Sequence, residues 1–453
     1  MKKIKSILAL TTAMLITASL FSGCGSKEAS ETGKDASKGG ATTVTILIDS
    51  KFFDEKAKAL PYSLYNIKEE FEKENKDIKV EFKGLNGASD DDINKARSLL
   101  LSSGDTSDVV YLQNPNETSK YTNSKMIDPL DDLAKKNNYD LEKVYGKFLV
   151  KSNGQTYYLP SDYSVNVVFY NKKIFDDAGV PYPTKGWTWE DFDSIAKKLT
   201  NPSKGIYGVV EPTWEYQLYT PANQLMTPAY KEDGTSNLED QAFKDALKRF
   251  KDLEDAGAKP KWIEMASKKL DWDAITSGKF GMEFIGALVM QAFEDFKAYP
   301  RDWKVGIAPA PVPAGGKGNN APTAGGGWAV NKNSKNKDAA FKATSYFAAN
   351  YYKVGGILPP RVDLKEADIK AVLQKDAEKL KDVTTDELYS VFYDNGMGIS
   401  PEKIVGPGSA QINAMFAKQA ELYLSGKMSL DDTMKSIKEK ADEIIKQAQN
   451  ASK

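Results

Sequence analysis

Histidine is absent from all 453 residues, cysteine occurs once, and arginine is confined to Arg97, Arg249, Arg301 and Arg361. Without imidazole there is no His-bearing triad, no base that ordinarily titrates near neutrality and none of the commonest zinc ligand. Carboxylates remain for acid–base work or for calcium, yet the chain has no DxDxDG-type loop, so neither a metal nor a cofactor is expected. Bidentate recognition of phosphate and carboxylate leans on the guanidinium group, so scarce arginine points to a neutral ligand, with Arg361 kept as one candidate contact. Lys plus Arg (62) and Asp plus Glu (63) nearly cancel, leaving no net field for nucleic acid or an anionic membrane. After Leu20 no apolar run approaches the roughly 20 residues that cross a bilayer.

What is present is ordinary for a folded protein: 41% hydrophobic, 28% charged and 11% aromatic residues. The length exceeds what one core organises and suits two lobes of roughly 150 to 200 residues. Residues 1–23 read as a signal peptide, with Lys2, Lys3 and Lys5 ahead of the apolar stretch 7–20 and the small residues Ser22 and Gly23 after it. The lone Cys24 follows at once in an SGC junction. A single cysteine in an exported chain forms no internal disulfide, so its uniqueness and its place share one explanation, a chemical role at the cleavage point. The junction resembles the lipobox of bacterial lipoproteins, in which that cysteine is acylated, with Phe21 where the pattern usually has Leu. Residues 25–41 (GSKEASETGKDASKGGA) carry no aromatic or branched apolar side chain and read as a flexible tether.

Beyond the tether, strand and helix patterns alternate. Strands are expected at 44–49 (VTILID), 78–82, 108–112, 165–170, 206–210 and 304–307. Helices are expected at 62–75, 89–103, 172–177 ahead of Gly179, 237–254 and 338–349, with capping boxes at Thr188/Asp191 and Ser429/Asp432. From Lys365 onward the chain reads as mainly helical. This alternation implies mostly parallel α/β lobes. No internal repeat is apparent.

The segment 157–200, YYLPSDYSVNVVFYNKKIFDDAGVPYPTKGWTWEDFDSIAKKLT, resembles the signature block of the family 1 extracellular solute-binding proteins. Its elements are Leu159-Pro160, Tyr170-Asn171, the AGV of 178–180 and Trp189 opening a helix. In the family's order follow GDTSDVVYL at 104–112, GKFGM at 278–282, APAPVPAGGKG at 308–318, GGGWAVNKNSKNKDAAFK at 325–342 and LPPR at 358–361. The resemblance implies a periplasmic-binding-protein-like fold of type II, two α/β lobes joined by a hinge of several crossings with the ligand between them. It assigns 42–158 plus 312–350 to the first lobe and 164–307 plus 351–453 to the second. Crossings are expected at 159–163, 308–311 and 351–356.

Sugars need flat aromatic faces for their C–H sides and carboxylates or amides for their hydroxyls. Glu211 and Trp214, in GVVEPTWEY, resemble a binding segment of maltodextrin-binding relatives in which an acid and an aromatic meet the sugar. Trp328 follows Gly325, Gly326 and Gly327, whose missing side chains would admit a ligand close to the backbone, though the run also suits a plain turn. Asp162 and Tyr163 fall at the first crossing, and Gln113 and Asn114 at the carboxyl edge of a strand. Trp187 and Trp189 read as a staple at a helix start, and Trp262, Trp272 and Trp303 as core. The GGKG of 315–318 lacks P-loop spacing and reads as a loop.

The function implied is an extracellular substrate-binding lipoprotein of an ABC import system. It would capture a saccharide as a monomer, hand it to a membrane permease and hold to the outer face of the cell membrane through Cys24. Glu211→Ala or Trp214→Ala would then weaken binding without unfolding. Two rivals come from other classes. A secreted glycoside hydrolase would need two suitably spaced carboxylates among the 63 acids, and no hydrolase signature accompanies them. A sensor or adhesin lipoprotein would bind small solutes only weakly, and a non-sugar solute also remains open for a binding protein of this kind.

Overall fold

The computed structural model describes residues 40–58, 62–113, 120–152, 154–314, 322–324, 326–354, 358–393 and 400–451. From Ala41 onward the chain forms one compact unit. Among its described residues run twelve strands: β1 (Thr42–Asp49), β2 (Ile78–Leu85), β3 (Val109–Leu112), β4 (Lys151–Ser152), β5 (Gln155–Thr156), β6 (Leu159–Pro160), β7 (Tyr163–Asn171), β8 (Tyr207–Val210), β9 (Phe280–Gly286), β10 (Val305–Pro309), β11 (Pro322–Ala324) and β12 (Gly327–Val330).

Two five-stranded sheets organise two lobes. The first has the order β2-β1-β3-β12-β6; in the second the order β10-β7-β9-β8 is extended by β11 against β7. Strand β1 pairs in parallel with β2 and β3, and their apolar runs are buried because helices cover the sheet. Among those helices, Leu64–Glu74 starts at a capping box of Ser63 with Asn66, and Lys337–Asn350 packs Phe341 and Phe347 into the same core.

The expectation of mostly parallel sheets needs correcting. β12 is antiparallel to both β3 and β6, and β7 is antiparallel to β9, β10 and β11; only β8 and β9 pair in parallel in the second sheet. The cause is the connection between the lobes. β7 leaves the first sheet directly after β6, and β12 re-enters it directly after β11, so these strands run against their neighbours.

These two passages are tied together. Ser161 donates from both its backbone N–H and its hydroxyl to the Gly326 carbonyl, at 3.0 Å each, and the Gly326 N–H donates to Asp162 Oδ2 at 2.9 Å. The return passage therefore lies next to Gly326 and not at the expected 308–311. There the chain stays with the second lobe: Ala308 and Ala310 sit in its core and Val312 bonds to Trp187 and Trp189. Residues Tyr351–Val354, expected in the second lobe, pack on the first, whereas Leu358 belongs to the second.

Helix boundaries follow local chemistry. Lys172–Ala178 is N-capped by Asn171 and ends at Gly179 with φ 63°, a left-handed position suited to glycine. Trp189–Leu199 starts at the Thr188/Asp191 capping box, and Gln241–Asp255 begins at Asp240, a few residues later than its apolar pattern suggested. The closing helices Ser409–Leu424 and Leu430–Ala451 pack against the second lobe through Ile412, Phe416, Met434 and Ile437. Among the described residues no helix is long and apolar enough to cross a membrane.

Candidate functional site

A cleft of about 930 Å³ opens where the two sheets meet. Tyr62, Tyr352 and Lys353 line it from the first lobe, and Leu288, Gln291 and Asp376 from the second. Asp162 and Ser164, on the passage between the sheets, lie at the join. A neighbouring cavity of about 400 Å³ shares Val354 and adds Lys51, Phe52 and Tyr351, just past the carboxyl end of β1. The combination suits a neutral ligand with an apolar face: aliphatic surface, two tyrosines, and acids balanced by lysines, with each wall coming from a different lobe.

Asp162 is the best-placed acid. Its carboxylate stands near Tyr111, Tyr158 and Tyr351, whose phenols burial pushes up and the acid pushes further. Tyr111 and Tyr351 form an aromatic group with Phe52, whose ring meets theirs at 5.5 and 6.5 Å. Gln113 lies half-buried at the carboxyl end of β3.

On the second wall, Ser164 and Asn166 share one face of β7, since alternate side chains of a strand point the same way. Asn166 is opposite Gly286, where a Cβ would lie 3.4 Å from Leu288 Cδ2 and 3.5 Å from Asn166 Oδ1. Asn166 Nδ2 donates to Glu402 Oε1 at 3.3 Å. Burial pushes the Glu402 carboxyl up to about 7, against the pull of Lys403 and the Asn166 bond. Lys403 in turn pairs with Glu215 at 2.7 Å, beside Trp214. Trp214 is half-buried, touches both cores of the second lobe and has the Tyr216 ring 5.9 Å away. Sequence reasoning missed Ser164, Asn166, Leu288 and Glu402. The alternation along β7 was legible, but the approach of residue 402 to residue 166 is tertiary.

Several expected contacts have other duties. Glu211 is buried, with Oε2 held by Lys259 at 2.9 Å and Oε1 by Arg249 at 3.3 Å. Burial would raise its pKa, but the two cations hold it below the usual carboxylate range. Arg249 also pairs with Asp193 at 2.8 Å and covers the Trp189 ring at 4.1 Å. The reason is local: β8 ends against helix Gln241–Asp255, which presents Arg249 to it. Trp328 is fully buried on β12, between β3 and β6, with Tyr111 and Phe347 rings at 4.9 and 5.3 Å. Gly327 is required by packing and not by a ligand: a Cβ there would collide with the Tyr158 ring and come 2.9 Å from the Leu159 carbonyl oxygen. Arg361 gives its fork to Asp363 at 2.8 and 2.7 Å and its Nη1 to the Ala349 carbonyl at 3.0 Å, tying the chain after the third passage to the first lobe.

Tyr163 opens β7 opposite Ala324, and its side chain lies outside the described residues, as do Asn114, Gly325, the GGKG of 315–318 and Cys24. Trp187 and Trp189 are buried, donating to the Pro309 carbonyl at 2.8 Å and to Gln224 at 2.6 Å.

Two α/β lobes joined by paired passages over a ligand-sized cleft define a two-lobed binding protein, and comparison with known proteins agrees. The family of bacterial extracellular solute-binding proteins matches residues 57–354, and the chain belongs to it. A protein of Brucella abortus named only as a binding protein is 25% identical over 293 residues, 59% of this chain and 69% of that one. A sugar transporter of Rhizobium etli, solved in an open conformation, superposes with a TM-score of 0.72 at 24% identity, covering 90% of this chain and 99% of that one. An ABC substrate-binding protein of Listeria monocytogenes, solved with cycloalternan, gives a TM-score of 0.64 at 22% identity, with 89% and 99% covered.

Proposed function

We propose that this chain captures a saccharide in the interlobe cleft and delivers it to the permease of an ABC-type importer, acting by binding and not by catalysis. The observation that carries this reading is the cleft itself. Its walls come from different lobes, its largely apolar lining carries Tyr62, Tyr352 and several polar and charged side chains, and Asp162 and Ser164 sit on the passage about which the lobes would turn. A ligand touching both walls favours the closed arrangement by its extra contacts there. The sugar-related names of the structural neighbours support a saccharide, as does the commitment of Arg249, Arg301 and Arg361 to internal partners. Of the contacts expected from the sequence, Asp162 lines the cleft, and Gln113, Trp214, Tyr163 and Asn114 are kept as candidates on the sequence argument alone. Acylation of Cys24 would hold the protein at the outer face of the cell membrane, with residues 25–41 as tether.

The test is a thermal-shift screen of the chain from Ala41 onward against mono- and oligosaccharides, polyols, amino acids and oligopeptides. A ligand at about a hundred times its Kd stabilises the folded form by about 2.7 kcal/mol, a readily visible shift. Saccharide hits are expected; hits confined to peptides or amino acids would overturn the sugar assignment.

A further inference from the structure

Most carboxylates of the second lobe that lie near the cleft are already answered by a cation. Glu215 pairs with Lys403, and Glu294 with Lys379 at 3.1 Å. Glu402 differs. Its carboxyl has a neutral amide as hydrogen-bond partner, Asn166 Nδ2 at 3.3 Å, and that amide belongs to the strand face that carries Ser164 into the cleft. Its backbone is fixed independently: Asn223 donates to the Glu402 carbonyl at 2.9 Å, and Asn413 holds Ile404 from both sides. A half-buried carboxyl on a pinned backbone, bonded to an amide whose strand partner Gly286 lies against the exposed Leu288, is what a hydroxyl-bearing ligand needs as a polar counterpart to an apolar surface.

We propose that Glu402 is the carboxyl with which the second lobe grips the solute, and that capture weakens as Glu402 ionises. The proposal rests on the interlobe cleft as the binding site. Among the described residues, the charged and titratable groups that face Glu402 are Lys403 beside it, Glu215 on the turn Glu215–Leu218 and the buried phenols of Tyr216 and Tyr219. With Glu402 protonated, Lys403 and Glu215 cancel. With Glu402 ionised, the group carries one uncompensated negative charge, and lobe closure over a neutral solute would strip water from it. Burial already sets this change near neutrality, at about 7. Closure removes further solvent and raises that value in the bound state. Binding is therefore strongest below the free value and weakens as pH rises through it.

The experiment is isothermal titration of the chain from Ala41 onward with maltotriose and with mannitol, at about pH 5.5 and about pH 8.5. Wild type is compared with Glu402→Gln and Glu402→Ala, and melting temperatures are recorded alongside. A one-unit rise on closure makes wild-type binding roughly eightfold weaker at the higher pH. Glu402→Gln, uncharged throughout, should keep the acid-side affinity at both, and Glu402→Ala should lose about tenfold or more at both. Wild-type maltotriose affinity that is flat with pH, or unchanged affinity in Glu402→Ala, would overturn the role of Glu402 while leaving the saccharide reading intact. Mannitol bound with the stated pH profile, with maltotriose failing to bind, would overturn the saccharide reading and support Glu402. A purely structural Glu402 would lower the melting temperature of both variants and leave the wild-type profile flat.

Discussion

Glu211 and Glu402 are both acids of the second lobe, and both lie near Trp214 along the chain or in space. Their surroundings separate them completely. Glu211 has each oxygen on a cation, inside a buried group of Asp193, Arg249 and Lys259, with the Lys259 Nζ 3.0 Å from the Phe250 ring centroid. Among the described residues Glu402 has one amide, Asn166, on the strand face that carries Ser164 into the cleft. The first arrangement is closed to a ligand by burial, with each oxygen on a cation, and holds strand β8 to helix Gln241–Asp255. The second, among the described residues, leaves most of a carboxyl's bonding capacity unused, which is the condition for recognising hydroxyls. An acid beside a tryptophan is therefore a poor guide to a sugar site until the acid's partners are known.

The sharpest way to break this comparison is to delete the structural members. Glu211→Ala strands Lys259 as a buried cation, leaves Arg249 with Asp193 alone, and should cost about 3–5 kcal/mol in urea denaturation. Trp328→Ala, which empties the space between Tyr111 and Phe347, should cost a similar 3–5 kcal/mol. If either variant keeps wild-type stability and loses ligand affinity instead, the buried assignments are wrong. A smaller effect, of the opposite kind, is expected for the half-buried Trp214: Trp214→Ala should weaken saccharide binding by about 1–3 kcal/mol, read by titration, with stability reduced far less than in Trp328→Ala.

The smallest predicted effect concerns a third acid. Asp376 lines the cleft, and burial, with Glu294 nearby, pushes it up to about 6. Its ordinary value is about 3.9, so the folded protein holds this proton more tightly than the unfolded chain does. Stability from this group is thus greatest below about 3.9 and is lost as pH rises through 6. Asp376→Asn should raise the melting temperature near pH 8 and leave it unchanged near pH 4. An equal shift at both would mean that Asp376 acts through packing and not through its charge.

Much of the architecture was legible because it rests on local chemistry. The β-branched run of β1, the capping box at Thr188 and Asp191 and the stop at Gly179 each act through residues a few positions apart, so their signals survive in the sequence. One strand of each sheet was not: β12 in the first is a short apolar run and β9 in the second is broken only by Glu283, and nothing in such a run states what covers it. That omission misled the site as well: with β12 unrecognised, Trp328 and Gly327 looked like a ligand loop, whereas a strand flanked on both sides buries them.

The sequence by itself determined that no imidazole chemistry operates here, that its four arginines argue against a polyanionic ligand, and that the folded part is an α/β protein of two lobes carrying the motifs of solute-binding relatives. Those conclusions follow from composition and from ordered local patterns. Only the tertiary structure decided which acids and aromatics face the cleft. Lys259 neutralises Glu211 across 48 residues of chain, Gly326 meets Asp162 across 164, and Glu402 reaches Asn166 across 236. A charge is available to a ligand only when no internal partner has claimed it, and partners so distant along the chain are chosen by folding.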